Sequence, residues 1–367
     1  MHHFLLAICT RPGVGICFKD RGWYPRESDG DDRTAIVNDE PTQGSRKIYN
    51  KILANLLKSL KVNEDSRQQE LALKIMAACP ELVARWVRLL LRLFNLIIIV
   101  ILSYWHGAAL TLEPRLSSKW IANISFFGSV ISLPIPSSSF LLPGSGLFQP
   151  SPPPLSIVLE NILPSVNTKN NMSKGLQSTS SLVQHCTALA LAKCLVKYAK
   201  VLRTFHDVQS MLEEDEEDGQ WCKRRREIER DVRRRVPDFQ VVVGFSQQKL
   251  VDNVAQPDNS ILPSGHINPT KAALLSESAQ RLLWLYHRCL PSLVAEARFD
   301  VGKLLLNFGG TTSDGMANIL TDTVSNPVAG LRTIRELHVL RLLKDSDQFA
   351  WSGKSRMSFE PLITADI

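Results

Sequence analysis

The run KRRREIERDVRRR, from Lys223 to Arg235, holds the densest set of side chains in this chain that could do chemistry. Its cations are Lys223, Arg224, Arg225, Arg226, Arg230, Arg233, Arg234 and Arg235. Guanidinium groups fork onto phosphate oxygens, and a cluster of them gives salt-dependent affinity for nucleic acid. The same run has the composition of a nuclear-import signal. A plainer reading stands beside both: Glu227, Glu229 and Asp231 interrupt the block, so it also fits a charged helix surface. No ladder of aromatic residues accompanies it, which weakens the case for stacking on single-stranded bases. The preceding acidic run, Glu213 to Asp218, lacks the alternation and the glycine of a calcium loop and reads as a solvated stretch.

Other chemistry is harder to find. GGTTSDG at Gly309 lacks the Lys-Ser/Thr ending of a phosphate loop. GFSQQ at Gly244 lacks the second glycine of a nucleophile elbow. No His-Glu-x-x-His occurs, and His106, His185, His206, His266, His287 and His338 are isolated, fitting helix faces or loops better than catalytic bases. The seven cysteines, at 9, 17, 79, 186, 194, 222 and 289, form no Cys-x-x-Cys pair. A zinc site is therefore not expected, and the scattered set fits buried thiols in a reducing compartment. The reading is of a protein with no catalytic residues, no cofactor and no metal.

The N-terminal MHHFLLAIC lacks the basic region of a signal peptide. NIS at Asn123 and NMS at Asn171 have the glycosylation pattern, which counts only in a secreted chain, and the cysteines argue against secretion.

These residues must be positioned by a largely helical chain. With 367 residues, 44% hydrophobic and 22% charged, it can bury one large core or two ordinary ones. The net charge of +7 permits a polyanionic partner without requiring one. Residues 1–46 read as an irregular leading segment, 47–344 as a helical-repeat domain, and 345–367 as a tail. Inside the domain, 134–154 is a Pro/Ser/Gly-rich loop and 212–236 an acidic-then-basic segment, a solvated helix or a disordered loop.

Ile48, Ile52, Leu53, Leu56, Leu57 and Leu60 recur at helical spacing, and Asp65 with Gln68 has the form of a cap opening a second helix through Leu71, Ile75, Cys79 and Leu82. Pro80 should end or kink that helix. LSIVLENILPSV fits a short helix ending near Pro164. The strongest signal spans Leu176 to Gln209, where Lys193, Lys197, Lys200 and Thr204 make one narrow polar stripe on a helix otherwise packed on most sides. Further helices are expected over 271–290, 291–308 and Leu331–Lys344, and a strand over Phe239–Phe245. Long helices in antiparallel succession predict an all-α fold, an armadillo/HEAT-like α-solenoid, with a compact bundle as the alternative.

Several long segments together carry more information than any short motif. GICFKDRGWYP (Gly15–Pro25), the stretch Ile48–Val83, LEPRLSSKWIANISFFGSVISLPIP (Leu112–Pro136), the stretch Leu155–Lys197, RFDVGKLL at Arg298 and LLKDSDQFAWSGKS near the C-terminus resemble the N-terminal domain of the nucleolar pre-ribosomal-associated protein 1 family in its fungal form. The resemblance implies a nucleolar, non-catalytic helical-repeat scaffold in large (60S) subunit assembly and pre-rRNA processing. It implies partners among pre-ribosomal particle proteins, including a DEAD-box helicase, and contact with pre-rRNA. The rival readings are a generic helical-repeat adaptor and a single-pass membrane protein anchored by Leu89–Leu102.

That apolar stretch is short for a span, which needs about 20 apolar residues. In the family pattern a Tyr-Trp follows soon after PELV, whereas here Pro80–Val83 and Tyr104–Trp105 are separated. Removing Trp86–Ser103 restores continuity, and the expectation is that these 18 codons are a translated intron, leaving membrane attachment disfavoured. The family's members are far longer than this chain, which therefore reads as an N-terminal portion or a truncated gene model, with 345–367 a truncated tail.

Overall fold

The computed structural model describes residues 1–24, 49–84, 112–142, 144–247, 269–297 and 327–346. Along the chain these form α1 (His2–Cys9), α2 (Lys51–Ser59), α3 (Ser66–Ala78), α4 (Ser118–Ile131), α5 (Leu155–Ile162) and α6 (Lys169–Leu176). The series continues with α7 (Ser181–Met211), α8 (Gln220–Arg235), α9 (Phe239–Gln247), α10 (Pro269–Cys289), α11 (Pro291–Glu296) and α12 (Pro327–Asp345). Among the described residues there is no strand, only isolated bridges at Val14–Cys17 and Leu141–Phe148. The expected all-α class holds. The run Trp86–Ser103, including Leu89–Leu102, lies outside the described residues, among which no helix is long and apolar enough to cross a membrane.

Local chemistry sets the helix starts. The Asp65 carboxylate accepts from the Arg67 N–H at 2.8 Å and from Gln68 Nε2 at 3.2 Å, so the expected cap opens α3. Ser117 caps α4 through the Trp120 N–H, and Thr168 caps α6 through the Asn171 N–H. The helix expected from Leu176 is broken there: α6 ends at Leu176 and α7 begins at Ser181. α3 ends at Ala78, just before Pro80, as expected, and residues 81–84 are helical again.

Two expectations need correction. Phe239–Phe245 is not a strand but most of α9, with Phe239, Val242, Val243 and Phe245 buried. The valine run favours strand intrinsically, but that preference is weak against packing, and α9 lies against α6 and α10 with Phe239 and Tyr286 ring centroids 5.8 Å apart. Nor is the leading segment irregular throughout, since α1 packs on α3 and Cys9 is fully buried. Of the helix expected over 291–308, α11 accounts for Pro291–Glu296, and the part from residue 298 lies outside the described residues.

Helix neighbours follow one another through the molecule: α3 packs on α4, α4 on α7, α7 on α10 and α10 on α12. The apolar side chains sort into two cores. The larger gathers α4 to α12 around α7, with Leu191, Leu195, Tyr198, Val201 and Phe205 at its centre. The smaller joins α1, α2 and α3, with Leu53, Leu57, Leu71, Ile75 and three cysteines. α4 serves both. Trp120, Ile124, Phe127 and Ile131, at helical spacing, enter the larger core, while Phe126 and Val130, one turn apart, enter the smaller.

The Pro/Ser/Gly-rich loop does more than link. A single 3₁₀ turn, Ser137–Phe140, drives Phe140 into an aromatic cluster with Trp23, Phe205 and Trp221. Asn123 is fully buried in α4, so its side chain is no glycosylation acceptor in the folded chain.

Candidate nucleic-acid interface

The charge flip over 212–236 is the electrostatics of one helix. The acidic run Glu213–Asp218 forms the turn before α8, where carboxylates meet the positive end of the helix dipole. The Glu214 carboxylate accepts from the Trp221 N–H at 2.9 Å, satisfying one of the free donors of the first turn. Arg233, Arg234 and Arg235 fall in the last turn, where cations complement the negative end. The segment is therefore an ordered helix rather than a disordered loop.

α8 is anchored by a buried face made of Trp221, Cys222, Ile228 and Val232. Trp221 is fully buried, its ring centroid 5.0 Å from that of Phe205, and its Nε1–H donates to Gln149 O at 3.0 Å.

The eight candidate cations divide into two groups. Arg224, Arg225, Arg233 and Arg235 are half-buried and hold α8 to its neighbours. Arg224 donates to Pro153 O at 3.1 Å, and its Nε lies 3.0 Å from the Glu227 carboxylate. Arg225 donates to His206 Nδ1 at 3.1 Å, and Arg233 pairs with Glu296. Arg235 donates to Leu163 O at 3.1 Å and lies 3.5 Å from Glu160, a buried carboxylate that also accepts from the Ser165 N–H and hydroxyl.

Lys223, Arg226, Arg230 and Arg234 are exposed. Their spacing of three, four and four residues places them on one side of the helix, about 5–6 Å between neighbours and about 16 Å end to end. This stripe is partly occupied. Asp218 pairs with Lys223 at 3.0 Å, an interaction that holds the Asp218 carboxyl below its usual range. Arg226 donates to the carbonyls of Glu216 and Glu217 at 2.7 and 3.4 Å. Among the described residues Arg230 and Arg234 pair with Asp231 alone, at 3.6 and 3.8 Å.

Such a stripe can neutralise backbone phosphates without reading sequence. Trp221, the aromatic residue on the helix, is buried and offers no stacking surface. Among the described residues no cluster of His, Cys, Asp and Glu could hold a metal ion.

Sequence reasoning missed Lys197. It was visible only as part of a polar stripe on α7, but its side chain is 6% exposed and its ammonium donates to Leu133 O, just past the end of α4. Burial, and then the charge of Lys200, lowers its pKa to about 8. Its cation lies among others, Lys193 and Lys200, in the apolar run around Leu191, Leu195 and Val201, and no linear pattern marks it as the buried one.

Among the described residues the regular structure is helical, with no strand. Residues 1–123 match the Npa1 family model, described as "Ribosome 60S biogenesis N-terminal". The chain is 26% identical over 262 residues to nucleolar pre-ribosomal-associated protein 1 of Saccharomyces cerevisiae, an alignment covering 71% of this chain and 13% of the yeast protein. It is 20% identical over 318 residues to the Mus musculus protein of the same name, covering 83% of this chain and 12% of that one. The chain thus spans about an eighth of the length of these relatives. No solved structure matches it. Both the family model and these relatives bear the family name to which the sequence's long segments pointed.

Proposed function

We propose that this chain is a non-catalytic scaffold in assembly of the large ribosomal subunit, acting on nucleolar pre-ribosomes during pre-rRNA processing. The observation that carries the reading is the match of residues 1–123 to the 60S biogenesis family model. The helix succession α3, α4, α7, α10, α12 supports an armadillo/HEAT-like stack, which offers wide contact surfaces and has no need of a catalytic pocket. Its partners would be proteins of the pre-ribosomal particle, with a DEAD-box helicase among them.

Within this reading the exposed stripe Lys223, Arg226, Arg230 and Arg234 contacts pre-rRNA phosphates. Use of the same run as a nuclear-import signal requires only its exposed members. The test is ultraviolet crosslinking of the tagged chain in fungal cells, followed by sequencing of recovered RNA. Enrichment of large-subunit pre-rRNA is expected. Recovery at the level of an unrelated helical protein would overturn the assignment. Nucleolar fluorescence that survives detergent-free extraction is expected as well, whereas carbonate-resistant pelleting would favour a membrane anchor.

A further inference from the structure

A cleft of about 810 Å³ lies where the segment after α1, the end of α3 and the segment after α4 meet α5 and α7. Its size falls within the range of sites that bind drug-sized ligands. Trp23, Val83, Leu133 and Pro136 give it apolar walls. Three lysines line it, against one carboxylate, and two of the three form no ion pair among the described residues.

Lys74 is paired with Glu70 at 2.6 Å. Lys19 is exposed and forms no ion pair among the described residues. Lys197 is buried, and its acceptor among the described residues is the single carbonyl of Leu133. Asp20, whose carboxylate accepts from the backbone N–H groups of Gly22 and Glu81, each at 3.0 Å, forms no ion pair with Lys19 or Lys197 among the described residues. A buried ammonium held by one carbonyl keeps donors to spare, and a carboxylate is the group that matches them.

We propose that this cleft docks an acidic peptide segment of a partner protein, its carboxylates meeting Lys197 and Lys19 while a neighbouring apolar side chain lies against Trp23 and Leu133. The apolar walls favour a peptide over a nucleic-acid backbone, whose phosphates suit an open row of cations such as that on α8. The inference is independent of the RNA reading, because no residue of the α8 stripe lines the cleft.

The test is fluorescence anisotropy with the full chain and a fluorescein-labelled pentapeptide of Asp and Glu around one central Trp. Its counterpart with Asn and Gln is the neutral control. The acidic peptide should bind saturably with a dissociation constant below about 1 mM, well ahead of the control. Lys19→Ala and Lys197→Met should each weaken it about tenfold, the change expected for one charge-assisted hydrogen bond. Lys51→Ala, on the exposed side of α2, should leave it unchanged. Lys19 is exposed, so its variant tests the site even if Lys197→Met fails to fold. Absence of saturable binding, equal binding of the neutral peptide, or indifference to both substitutions would overturn the proposal. Tighter binding of oligo(A) RNA that is lost in the same two variants would overturn the peptide assignment.

Discussion

Replacing Lys197 by Met should stabilise this protein at neutral pH, and the sign should reverse on the alkaline side. The pKa of Lys197 falls from 10.5 to about 8, first through burial and then through Lys200. Keeping the ammonium charged at pH 7 therefore costs about 3 kcal/mol relative to the unfolded chain. Met fills a similar volume without the charge, but it leaves the Leu133 carbonyl unpaired, a loss of about 1–2 kcal/mol. The net gain at pH 7 is about 1–2 kcal/mol.

Between pH 8 and 10.5 the unfolded chain holds more protons at Lys197 than the folded one, so wild-type stability rises with pH through that window relative to the variant. Between pH 7 and pH 10 the difference should move by about 2–3 kcal/mol in favour of wild type. Buried thiols such as Cys194 and Cys289, pushed up to about 12 by burial, pull stability the other way, but they are common to both proteins and cancel. Paired urea titrations at pH 7 and pH 10, followed by circular dichroism, read the quantity directly. A difference that does not change with pH, or a variant less stable at pH 7 than at pH 10 relative to wild type, would refute the reasoning.

Three other outcomes are expected. Trp221→Ala should cost about 3–5 kcal/mol in urea unfolding, since it empties a fully buried site and orphans Gln149 O. Arg230→Glu with Arg234→Glu should weaken binding to unstructured RNA and reduce the slope of log affinity against log salt by about 2, while thermal unfolding stays close to wild type. Gly175→Ala should cost about 1–3 kcal/mol, because the new methyl would sit 2.3 Å from Thr187 Oγ1 where α6 meets α7; adding Thr187→Ala should recover most of the loss in the same melt.

Much of the fold could be read from periodicity. The stripe through Leu53 and Leu57, the Asp65 cap and the long packed helix over Leu191–Phe205 depend on local spacing, and each stands where expected. Misreadings came where distant packing decides. Phe239–Phe245 carries a strand's composition, but its neighbours are helices, so it is helical. The chain turns between α6 and α7, and Gly175 then lies close against Thr187, a contact no linear pattern displays.

The basic run was visible, but its division into four anchoring and four exposed cations was not. That division requires knowing which carbonyls and carboxylates, among them Pro153, Leu163 and Glu296, fold back onto the helix. Lys197 was hidden for the same reason, since the Leu133 carbonyl it meets is 64 residues away.

The double allegiance of α4 bears on how the protein comes apart. Because Phe126 and Val130 belong to one apolar assembly and Trp120 and Phe127 to the other, neither can melt while leaving that helix intact for its neighbour. Calorimetry should accordingly show a single endotherm where two separable units would give a pair, and damage at either end of the molecule should be felt at the opposite end.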